Sequence, residues 1–478
     1  MKSDRLIPPS PSSTAAPTEA AALIAQHLYD TSFACIPSEL LPDLKLKLLD
    51  TMGCMLAGSG APGCPELVEL CRGWGGAPQS RVVGHDLRLP APMAALTNGT
   101  MARAVDFDDV FEPGTLHVSA SLVPAALAVA EAQGGVDGKS LLTALALGVD
   151  LICRLSLAIQ LPPGVSGMNS TFQCAYFAAA AVAGKLMGLE VEGLRHALGL
   201  AYTQVAGNSQ NLLEGTLAIR LNQGLAAQGG VMAAELARVG LTAARDSLEG
   251  KFGYFMVYQR GAYDRDRLLE GLGQRYYGPE VTQKIYPCCM HTHAAIEALQ
   301  EVKAKHLIDE AQIARIRVGL NQQGYNFVGA ASSDKITPRS VPEAQFSIYH
   351  VLAASFATGR LATADFEPAT LVLPEVRDLA GRVECWVDPD LQERCPSGVS
   401  PARVRVETRD GRVLEALGRE RRGTPANPLS RQEVMNKFLG CARGAARPVE
   451  PEQALRAARL VERLEELNDV GQILAALA

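Results

Sequence analysis

The spacing of apolar residues changes once along this chain, near residue 276, and this change limits the folds open to it. Before it, apolar positions recur every three or four residues in segments rich in alanine and glycine, which is typical of amphipathic helices. Small residues let helices approach closely, so we predict a compact helical domain rather than a long coiled coil. The predicted helices cover residues 42–57, 93–105, 121–133, 139–160, 173–187, 192–206, 219–240 and 264–272.

After this change apolar and polar residues alternate, which predicts strands. The stretches "IARIRVGLN" and "ECWVD" follow the pattern, and "RVRVETRDGRVLEA" predicts a hairpin that turns at its Asp-Gly pair. Predicted helices at residues 291–306 and 343–358 separate the strands, and Ser340 with Glu343 predicts a capping box before the second helix. The final stretch, "RLVERLEELNDVGQILAALA", is again typical of helices.

Together these patterns predict a mainly α protein with a large all-helical domain and a smaller α+β domain. The start of the chain is polar and rich in proline and serine, which is typical of a disordered tail. The predicted organisation is a disordered tail over residues 1–18, a helical domain over 19–275, an α+β domain over 276–424 and C-terminal helices over 425–478 that rejoin the helical domain.

Charge and cysteine usage argue against several classes of partner. A net charge of −6 predicts no basic face for nucleic acid or an anionic membrane, although a local cluster of cations suffices for a small anionic substrate. We find no apolar run that approaches the roughly 18–20 residues of a membrane span, and no secretory signal. Eleven cysteines scattered through apolar segments are typical of buried thiols in a reducing compartment, so we expect a cytoplasmic protein.

The stretch "DFDDVFEPGTLHVSAS" places three aspartates and a histidine ahead of a very apolar helix. Asp106, Asp108 and Asp109 cannot all stay ionised in a buried pocket without partners, because like charges raise one another's pKa. The positive end of the following helix disfavours a charge on His117, so this histidine would be neutral and able to accept a proton. We predict chemistry at Asp106 and His117, with Asp108 and Asp109 holding the loop in shape. The alternative is that His117 is only a core histidine.

Four possible metal ligands follow one another in "KIYPCCMHTH". Adjacent cysteines such as Cys288 and Cys289 rarely place both sulfurs on one ion, and His291 and His293 diverge if this segment is helical. We therefore expect no metal here. Lys284, at the start of the same stretch, is available to bind an anion instead.

Two further segments combine cations with predicted helix N-termini. Arg220 stands at the start of a Gly/Ala-rich helix, where its guanidinium could hold a carboxylate by two parallel hydrogen bonds. Lys335 and Arg339 precede another helix N-terminus, an arrangement that favours anions. A solvated arginine and a charged surface loop are the alternative interpretations. Common nucleotide-binding, zinc-protease and α/β-hydrolase motifs do not occur in the sequence, which argues against those chemistries.

Six stretches, in this order and spacing, carry a resemblance across roughly residues 20–475: "LLDTMGCMLAGSGAP", "NGTMARAVDFDDVFEPGTLHVSASLVPAALAVAEA", "AAVAGKLMGLEVEGLRHALGLAYTQVAG", "GLAAQGGVMAAELARVGLTAARDSLEGKFGYF", "KIYPCCMHTHAAIEAL" and "TPRSVPEAQFSIYHVLAASFATGRL". They resemble the MmgE/PrpD family, which includes 2-methylcitrate dehydratase, cis-aconitate decarboxylase and iminodisuccinate epimerase. The resemblance implies an α+β lid on a helical domain, an active site between them, a homodimer, and no metal or organic cofactor. By position, it implies catalytic or substrate-contacting roles for Asp106 and His117 and an anchoring role for Lys284.

Several polar positions differ from this family pattern. Where the decarboxylase branch has a histidine in an "HPT"-like segment, this chain has Asn169, while Thr171 remains. A site that differs at this many polar positions is expected to take another substrate than the animal cis-aconitate decarboxylases. The other differing positions are Arg103, Val110, Ile219 with Arg220 beside it, and Cys289.

The chemistry that the resemblance implies is proton transfer at a carbon beside a carboxylate, on a small di- or tricarboxylic acid. Our leading hypothesis is a hydro-lyase for a hydroxylated substrate of the 2-methylcitrate kind. An epimerase or isomerase of an imino- or amino-dicarboxylate, a decarboxylase and a catalytically silent binding protein are the alternatives. His117 would move the proton, and Asp106 would orient it or act as the complementary acid or base. The candidate substrate contacts are Arg103, Asn169, Thr171, Arg220, Lys284, Cys289 and Arg339.

Overall fold

The structure, a computed structural model, describes residues 19–162, 165–359, 361–419 and 421–477. The tail predicted over residues 1–18 lies outside these described residues. The described chain is mainly α-helical, with a large helical region, a smaller region built on a four-stranded sheet, and a last set of helices.

Helices form most of the first region because its apolar residues repeat at helical spacing. Short hairpins interrupt them, β1 (Ser80–Arg81) with β2 (Arg88–Leu89) and β3 (Val110–Phe111) with β4 (Leu116–His117). The helices are α1 (Ala20–Asp30), α2 (Leu41–Gly58), α3 (Cys64–Trp74), α4 (Ala91–Ala104), α5 (Ser119–Gln133), α6 (Gly138–Ala158), α7 (Ser170–Leu186), α8 (Val191–Tyr202), α9 (Gln210–Leu213), α10 (Ala218–Arg238), α11 (Tyr254–Val257) and α12 (Arg265–Leu269).

Small residues set the distance between the central helices, as the composition predicts. A Cβ added at Gly224 of α10 would lie 2.2 Å from the carbonyl oxygen of Leu96 on α4, and one at Gly230 would lie 2.6 Å from the backbone nitrogen of Ala180 on α7. Neither position accepts a larger residue without movement of a neighbouring backbone. Helix α5 packs against α4 and α7 and is buried from its first residue through Ala130, so it forms a rigid apolar wall.

Helix α6 corrects the expectation that the chain has no long apolar run. Among the described residues it is the helix that is long and apolar enough to cross a membrane, but 94% of its most apolar 18-residue window is buried inside the protein. Arg154 pairs with Asp150 within the helix, Nε to Oδ2 at 2.6 Å, and donates to the Glu270 carbonyl oxygen at 2.8 Å. In this structure α6 is a core helix whose two buried charged residues, Asp150 and Arg154, pair with each other.

The second region consists of α13 (Met290–His306), β5 (Ile313–Leu320), α14 (Gln322–Gly324), α15 (Ser333–Ile336), α16 (Val341–Gln345), α17 (Ile348–Thr358), α18 (Pro374–Ala380), β6 (Val383–Val387), α19 (Pro389–Arg394), β7 (Ala402–Thr408) and β8 (Val413–Gly418). Its sheet has the strand order β6-β5-β7-β8, with β5 parallel to β6 and antiparallel to β7. Strands β7 and β8 form the predicted hairpin, and every second residue of β7 is buried, as the alternating pattern predicts.

The helix predicted over residues 343–358 is interrupted and forms α16 and α17 instead. The Ser347 hydroxyl oxygen accepts the N–H three residues further on, at 3.1 Å, and so caps α17 as a separate helix. Ser340 caps α16 by accepting the Glu343 N–H at 3.3 Å, but the Glu343 carboxylate accepts the N–H of Arg339, at 2.7 Å. Only half of the predicted capping box therefore forms.

The last helices, α20 (Arg431–Arg443), α21 (Pro451–Glu462) and α22 (Gly471–Ala475), pack against the first region. Phe438 of α20 lies so close to Gly53 of α2 that a Cβ added there would be 3.3 Å from the Phe438 Cα atom. Two large hydrophobic cores result, one among the helices and one beneath the sheet.

Candidate active site

Hairpin β3/β4 and the loop before it bring separate segments of the chain together. Just after α4 ends, Asp106 turns the backbone with a positive φ of 51°, in the left-handed region. Val110 then pairs with His117 across the hairpin and exchanges backbone hydrogen bonds with Thr282, at N–O distances of 2.9 and 2.8 Å. The loop over residues 105–109, here called the acidic loop, therefore meets the hairpin and the segment that follows Thr282.

Four charged side chains form a buried cluster at this meeting point. Arg103 forms an ion pair with Asp106 and lies 3.6 Å from the Asp108 Oδ1 atom. Lys284 Nζ lies 3.0 Å from Asp106 Oδ1 and donates a hydrogen bond of 2.9 Å to the Asp106 carbonyl oxygen. Burial alone would raise the pKa of Asp106, but the charges of Arg103 and Lys284 outweigh it and hold this pKa below its ordinary value. Asp106 is therefore ionised at neutral pH and cannot donate a proton there.

His117 is neutral, and Asp108 holds its ring in position. Its Nδ1 atom lies 2.9 Å from Asp108 Oδ2, and because a carboxylate can only accept, we assign the proton to Nδ1 and a free lone pair to Nε2. Burial and the nearby charge of Arg103 lower the pKa of His117, against the opposing effect of Asp108. The ring is 18% exposed and Asp108 is fully buried, so the ring is the part of this pair that can face a ligand. The carboxylate that orients His117 is thus Asp108, which the sequence assigned to the loop, and not Asp106.

Asp109 has the structural role that the sequence predicts for it. Its carboxylate accepts the Ser119 N–H at 2.8 Å and the Ser119 hydroxyl at 2.5 Å. These bonds satisfy donors at the first residue of α5 and tie the acidic loop to that helix. Burial raises the pKa of Asp109 to about 6, although the bonds from Ser119 oppose the shift.

Arg220, near the start of α10, is a buried cation without an acidic partner among the described residues. It is 3% exposed, its Nη1 atom donates to the Pro62 carbonyl oxygen at 2.8 Å, and its Nε atom has no hydrogen-bond partner. Burial lowers the pKa of Arg220, and the charge of Arg103 lowers it further. A buried guanidinium without a counter-ion is costly, so a bound carboxylate would complete this arrangement.

Thr171 and Asn169 lie next to the hairpin at the start of α7. The Thr171 hydroxyl oxygen accepts the backbone N–H of His117 at 3.4 Å. Asn169 caps α7, since its Oδ1 atom accepts the Thr171 N–H at 3.0 Å. The structure therefore places Thr171 beside His117, and it gives Asn169 a helix-capping contact.

Cys289 and Lys335 lie near the cluster on the side of the second region. Cys289 is 7% exposed, and burial together with the Asp106 charge raises the pKa of its thiol to about 11, so the thiol is neutral. Burial lowers the pKa of Lys335, whose ammonium donates to the Phe327 carbonyl oxygen. Cys289 lies close enough to Asp106 and Lys284 to interact with their charges, and Lys335 lies close enough to interact with Cys289.

Three further residues singled out in the sequence do not belong to the cluster. The Arg339 side chain is 75% exposed and pairs with an exposed aspartate at 3.1 Å, so the structure does not bring it to the other candidates. His291 stacks on Phe327 with ring centres 5.2 Å apart, and His293 packs edge-on against Tyr286 at 5.1 Å. Burial lowers the pKa of His291 to about 4 and that of His293 to about 3. Both histidines are neutral core side chains with different neighbours.

Among the described residues, one group meets the distance requirement for a metal ion. Asp106, Asp108 and His117 each offer a ligand atom, and these atoms lie within 4.8 Å of one another. Arg103 and Lys284, however, already contact the two carboxylates, and both would repel a divalent ion placed there. The two carboxylates are thus already neutralised by Arg103 and Lys284, and the group is a poor site for a divalent metal ion.

Two ion pairs that were not predicted from the sequence support the cluster. Lys437 of α20 pairs with Asp50 of α2 at 2.7 Å, and Arg421 binds Glu112 of the hairpin loop through hydrogen bonds of 3.1 and 2.7 Å. A charged residue within an apolar helical run could have indicated the first pair, since Asp50 lies in "LLDTMGC" and Lys437 lies in "VMNKFLG". Such residues are buried only when they are paired.

Known proteins similar to this chain include two enzyme types. Residues 22–265 match the model of the MmgE/PrpD N-terminal domain, and residues 286–466 match that of the MmgE/PrpD C-terminal domain. A cis-aconitate decarboxylase from Aspergillus terreus is 26% identical over 466 residues, with 92% of each chain covered. The cis-aconitate decarboxylase of Homo sapiens is 26% identical over 449 residues, with 91% of this chain and 89% of the relative covered. The 2-methylcitrate dehydratase of Cupriavidus necator is 25% identical over 470 residues, with 89% and 90% covered. The resemblance inferred from the sequence is confirmed, and the chain belongs to the MmgE/PrpD family.

Proposed function

We propose that the protein is a lyase that acts at a carbon beside a carboxylate of a small di- or tricarboxylic acid, and that its reaction is dehydration of a hydroxylated substrate of the 2-methylcitrate kind. The observation that carries this proposal is the neutral His117 ring, oriented by Asp108 within a buried charge cluster that lies close to the Arg220 guanidinium, a cation without an acidic partner among the described residues. Such a site offers a base for a weakly acidic C–H group and positive charge for the carboxylate next to it.

In the proposed reaction His117 Nε2 accepts the proton from the carbon beside the carboxylate. The electrons of the C–H bond form the C=C bond while the C–O bond on the adjacent carbon breaks, and the departing hydroxide takes a proton and leaves as water. Negative charge that develops on the substrate carboxylate is stabilised by Arg220, whose guanidinium has no acidic partner of its own. Because this arginine is buried, its attraction for that charge is stronger than it would be in water.

Lys284 is the best-placed donor of the second proton. Its Nζ atom donates to the Asp106 carbonyl oxygen at 2.9 Å and forms an ion pair with Asp106 Oδ1 at 3.0 Å. An ammonium group carries three N–H donors, so a donor is left for the oxygen of a leaving hydroxyl group. Asp106 itself stays ionised, so its proposed role is to hold the Lys284 ammonium in place.

Decarboxylation is the second candidate, because the relatives from Aspergillus terreus and Homo sapiens are named cis-aconitate decarboxylases. In that reaction a C–C bond to a carboxylate breaks, CO₂ leaves, and a proton returns to carbon from the protonated His117 ring. We rank decarboxylation second because Asn169 and Cys289 stand at positions where the resemblance implies histidines in the decarboxylases.

The test is to incubate purified protein with 2-methylcitrate, citrate, malate, cis-aconitate and an amino-dicarboxylate. We expect the absorbance of a new C=C bond with a hydroxylated acid, no release of CO₂, and a rate at least about a hundredfold lower for the His117→Gln variant. Release of CO₂ from cis-aconitate would show that the reaction is decarboxylation and not dehydration. Solvent deuterium entering the α-carbon without elimination would indicate an epimerase. A folded protein that converts none of these acids would contradict the proposed function.

A further inference from the structure

A buried lysine from the C-terminal helices joins the two segments that carry the reactive cluster. Lys437 Nζ donates to the Phe107 carbonyl oxygen at 2.7 Å and to the Lys284 carbonyl oxygen at 2.9 Å. Phe107 stands between Asp106 and Asp108 in the acidic loop, and Lys284 is the residue whose own Nζ contacts Asp106. One ammonium group therefore holds both sides of the Asp106–Lys284 contact through the backbone.

The third partner of this ammonium is a carboxylate from another helix. Lys437 Nζ lies 2.7 Å from Asp50 Oδ1 on α2, and the two side chains are 5% and 1% exposed. Nζ also lies 3.8 Å from the centre of the Phe107 ring. Burial opposes a charge on both side chains and raises the pKa of Asp50, whereas the Asp50 carboxylate raises the pKa of Lys437; we take the pair as ionic because the two charged groups lie 2.7 Å apart. Two hydrogen bonds to carbonyl oxygens and one ion pair therefore hold the ammonium in position.

These contacts limit the ways in which Lys437 can influence the reaction. Its side chain is 5% exposed, and its ammonium contacts two carbonyl oxygens and Asp50, so it is not presented to a substrate. The Lys437–Asp50 pair is neutral overall, and its net field at His117 is therefore small. Lys437 can therefore influence the reaction mainly by positioning the backbone, because the carbonyl groups of Phe107 and Lys284 belong to the segments whose side chains must meet.

We propose that Lys437 is a positioning residue for the reaction proposed above, and that helix α20 sets the distance between Asp106 and Lys284 through the two carbonyl groups. The inference rests on the proposed function, because positioning is measured as a rate. It makes the C-terminal helices necessary for catalysis although they carry no reacting group. A displacement of about 1 Å at a reacting centre costs on the order of a hundredfold in rate.

The central variant is Lys437→Met, which keeps the length of the side chain and removes all three donors. We expect kcat to fall about a hundredfold, while KM stays close to that of the wild type because Arg220 still binds the substrate carboxylate. Lys437→Arg keeps the charge and several donors and should restore part of kcat. The double variant Asp50→Asn/Lys437→Met avoids a buried unpaired carboxylate, which is strongly destabilising, and should fold and still lose kcat.

Lys45→Met is the matched control. Lys45 also joins α2 to the C-terminal helices, because its Nζ donates to the Glu462 carbonyl oxygen at 2.8 Å and pairs with Glu465. Its described contacts do not include the acidic loop, so kcat should stay unchanged even if the melting temperature falls. The inference is overturned if a folded Lys437→Met or double variant keeps the wild-type kcat. It is also overturned if Lys437→Met and Lys45→Met lose kcat in proportion to their loss of melting temperature.

A second measurement separates this inference from the proposed function. The pKa of His117 can be followed by NMR titration of its ring C–H signals, assigned with the His117→Gln variant, without any turnover. Movement of the acidic loop in Lys437→Met, or in the double variant, should shift this pKa, and Lys45→Met should leave it unchanged. If the wild type converts no acid, the proposed function fails and this titration alone decides on Lys437, with an unshifted pKa overturning the inference.

Discussion

The contact between Asp108 and His117 determines which ring nitrogen can accept a proton, because Nδ1 donates to the carboxylate. Asp108→Asn keeps the size of the side chain but presents an amide that can donate, which favours the unproductive tautomer. We expect kcat to fall by about 10²–10⁴ in Asp108→Asn and in His117→Gln. Steady-state kinetics with the acid that the wild type converts measure the loss. His306→Gln, at the end of α13, is the control and should keep the wild-type kcat; equal activity in all three variants would exclude His117 from the reaction.

The pH dependence of the rate should follow the neutral form of His117. Burial and Arg103 lower the pKa of this ring below its ordinary value of 6.5, so the base is protonated only in more acidic solution. We expect kcat/KM to rise with pH through an apparent pKa below 6.5 and to be level near neutral pH. Because Asp108 opposes this shift, Asp108→Asn should move the acidic limb to lower pH. A profile whose acidic limb lies above 6.5 would show that another group controls the rate.

Arg220 should show opposite effects on binding and on stability. Its buried guanidinium has no acidic partner among the described residues, so Arg220→Met removes an uncompensated charge. We expect KM to rise about 10–100-fold, because the substrate carboxylate loses one to two charge-assisted hydrogen bonds. The free energy of unfolding should stay equal or increase. Kinetics and urea unfolding measure the two effects. An unchanged KM would remove Arg220 from the proposed substrate contacts.

At the scale of secondary-structure elements, Asp109 links the acidic loop to α5 and should make stability depend on pH. Burial raises its pKa from 3.8 to about 6, so the folded protein keeps this proton between those pH values while the unfolded chain loses it. The contribution of Asp109 to the free energy of unfolding therefore decreases as pH rises through this interval, by as much as about 3 kcal/mol.

Asp109→Asn cannot ionise and can still accept the Ser119 N–H, so it should lack this decrease. Relative to the wild type, the variant should gain stability between about pH 4 and pH 7, measured by urea unfolding at several pH values. Asp137→Asn, which changes the exposed cap of α6, is the control. A difference between wild type and Asp109→Asn that does not vary with pH would contradict the assignment.

Most helices and strands follow from residue spacing, and the exceptions have local physical causes. The predicted helix over 192–206 ends at Tyr202, and the one over 264–272 is limited to Arg265–Leu269. In the second region Ser347 interrupts the helix predicted over residues 343–358, because its hydroxyl caps a new helix. Short hairpins such as β3/β4 escape prediction, since pairs of two residues are too short to show a period.

At the scale of the whole molecule, a bound acid should stabilise the native state. A di- or tricarboxylate that pairs with Arg220 binds only where the helices and the second region hold the cluster together. At a concentration of a hundred times Kd, such a ligand adds about 2.7 kcal/mol to the free energy of unfolding and raises the melting temperature. Thermal unfolding with an array of acids measures this effect, and Arg220→Met should lose most of the shift. An array in which no acid raises the melting temperature would contradict a carboxylate site.

The sequence by itself determined the mainly α class, the change to a sheet-containing region and the hairpin between β7 and β8, because periodicity and turn chemistry act over a few neighbouring residues. It also pointed to the acidic loop and to His117, since so many titratable groups before an apolar helix need partners. Only the tertiary structure decided that Asp108 holds His117, that Arg339 lies away from the cluster, and that Lys437 reaches the acidic loop. These partners lie on different helices and loops, and the packing that brings them together leaves no local pattern in the chain.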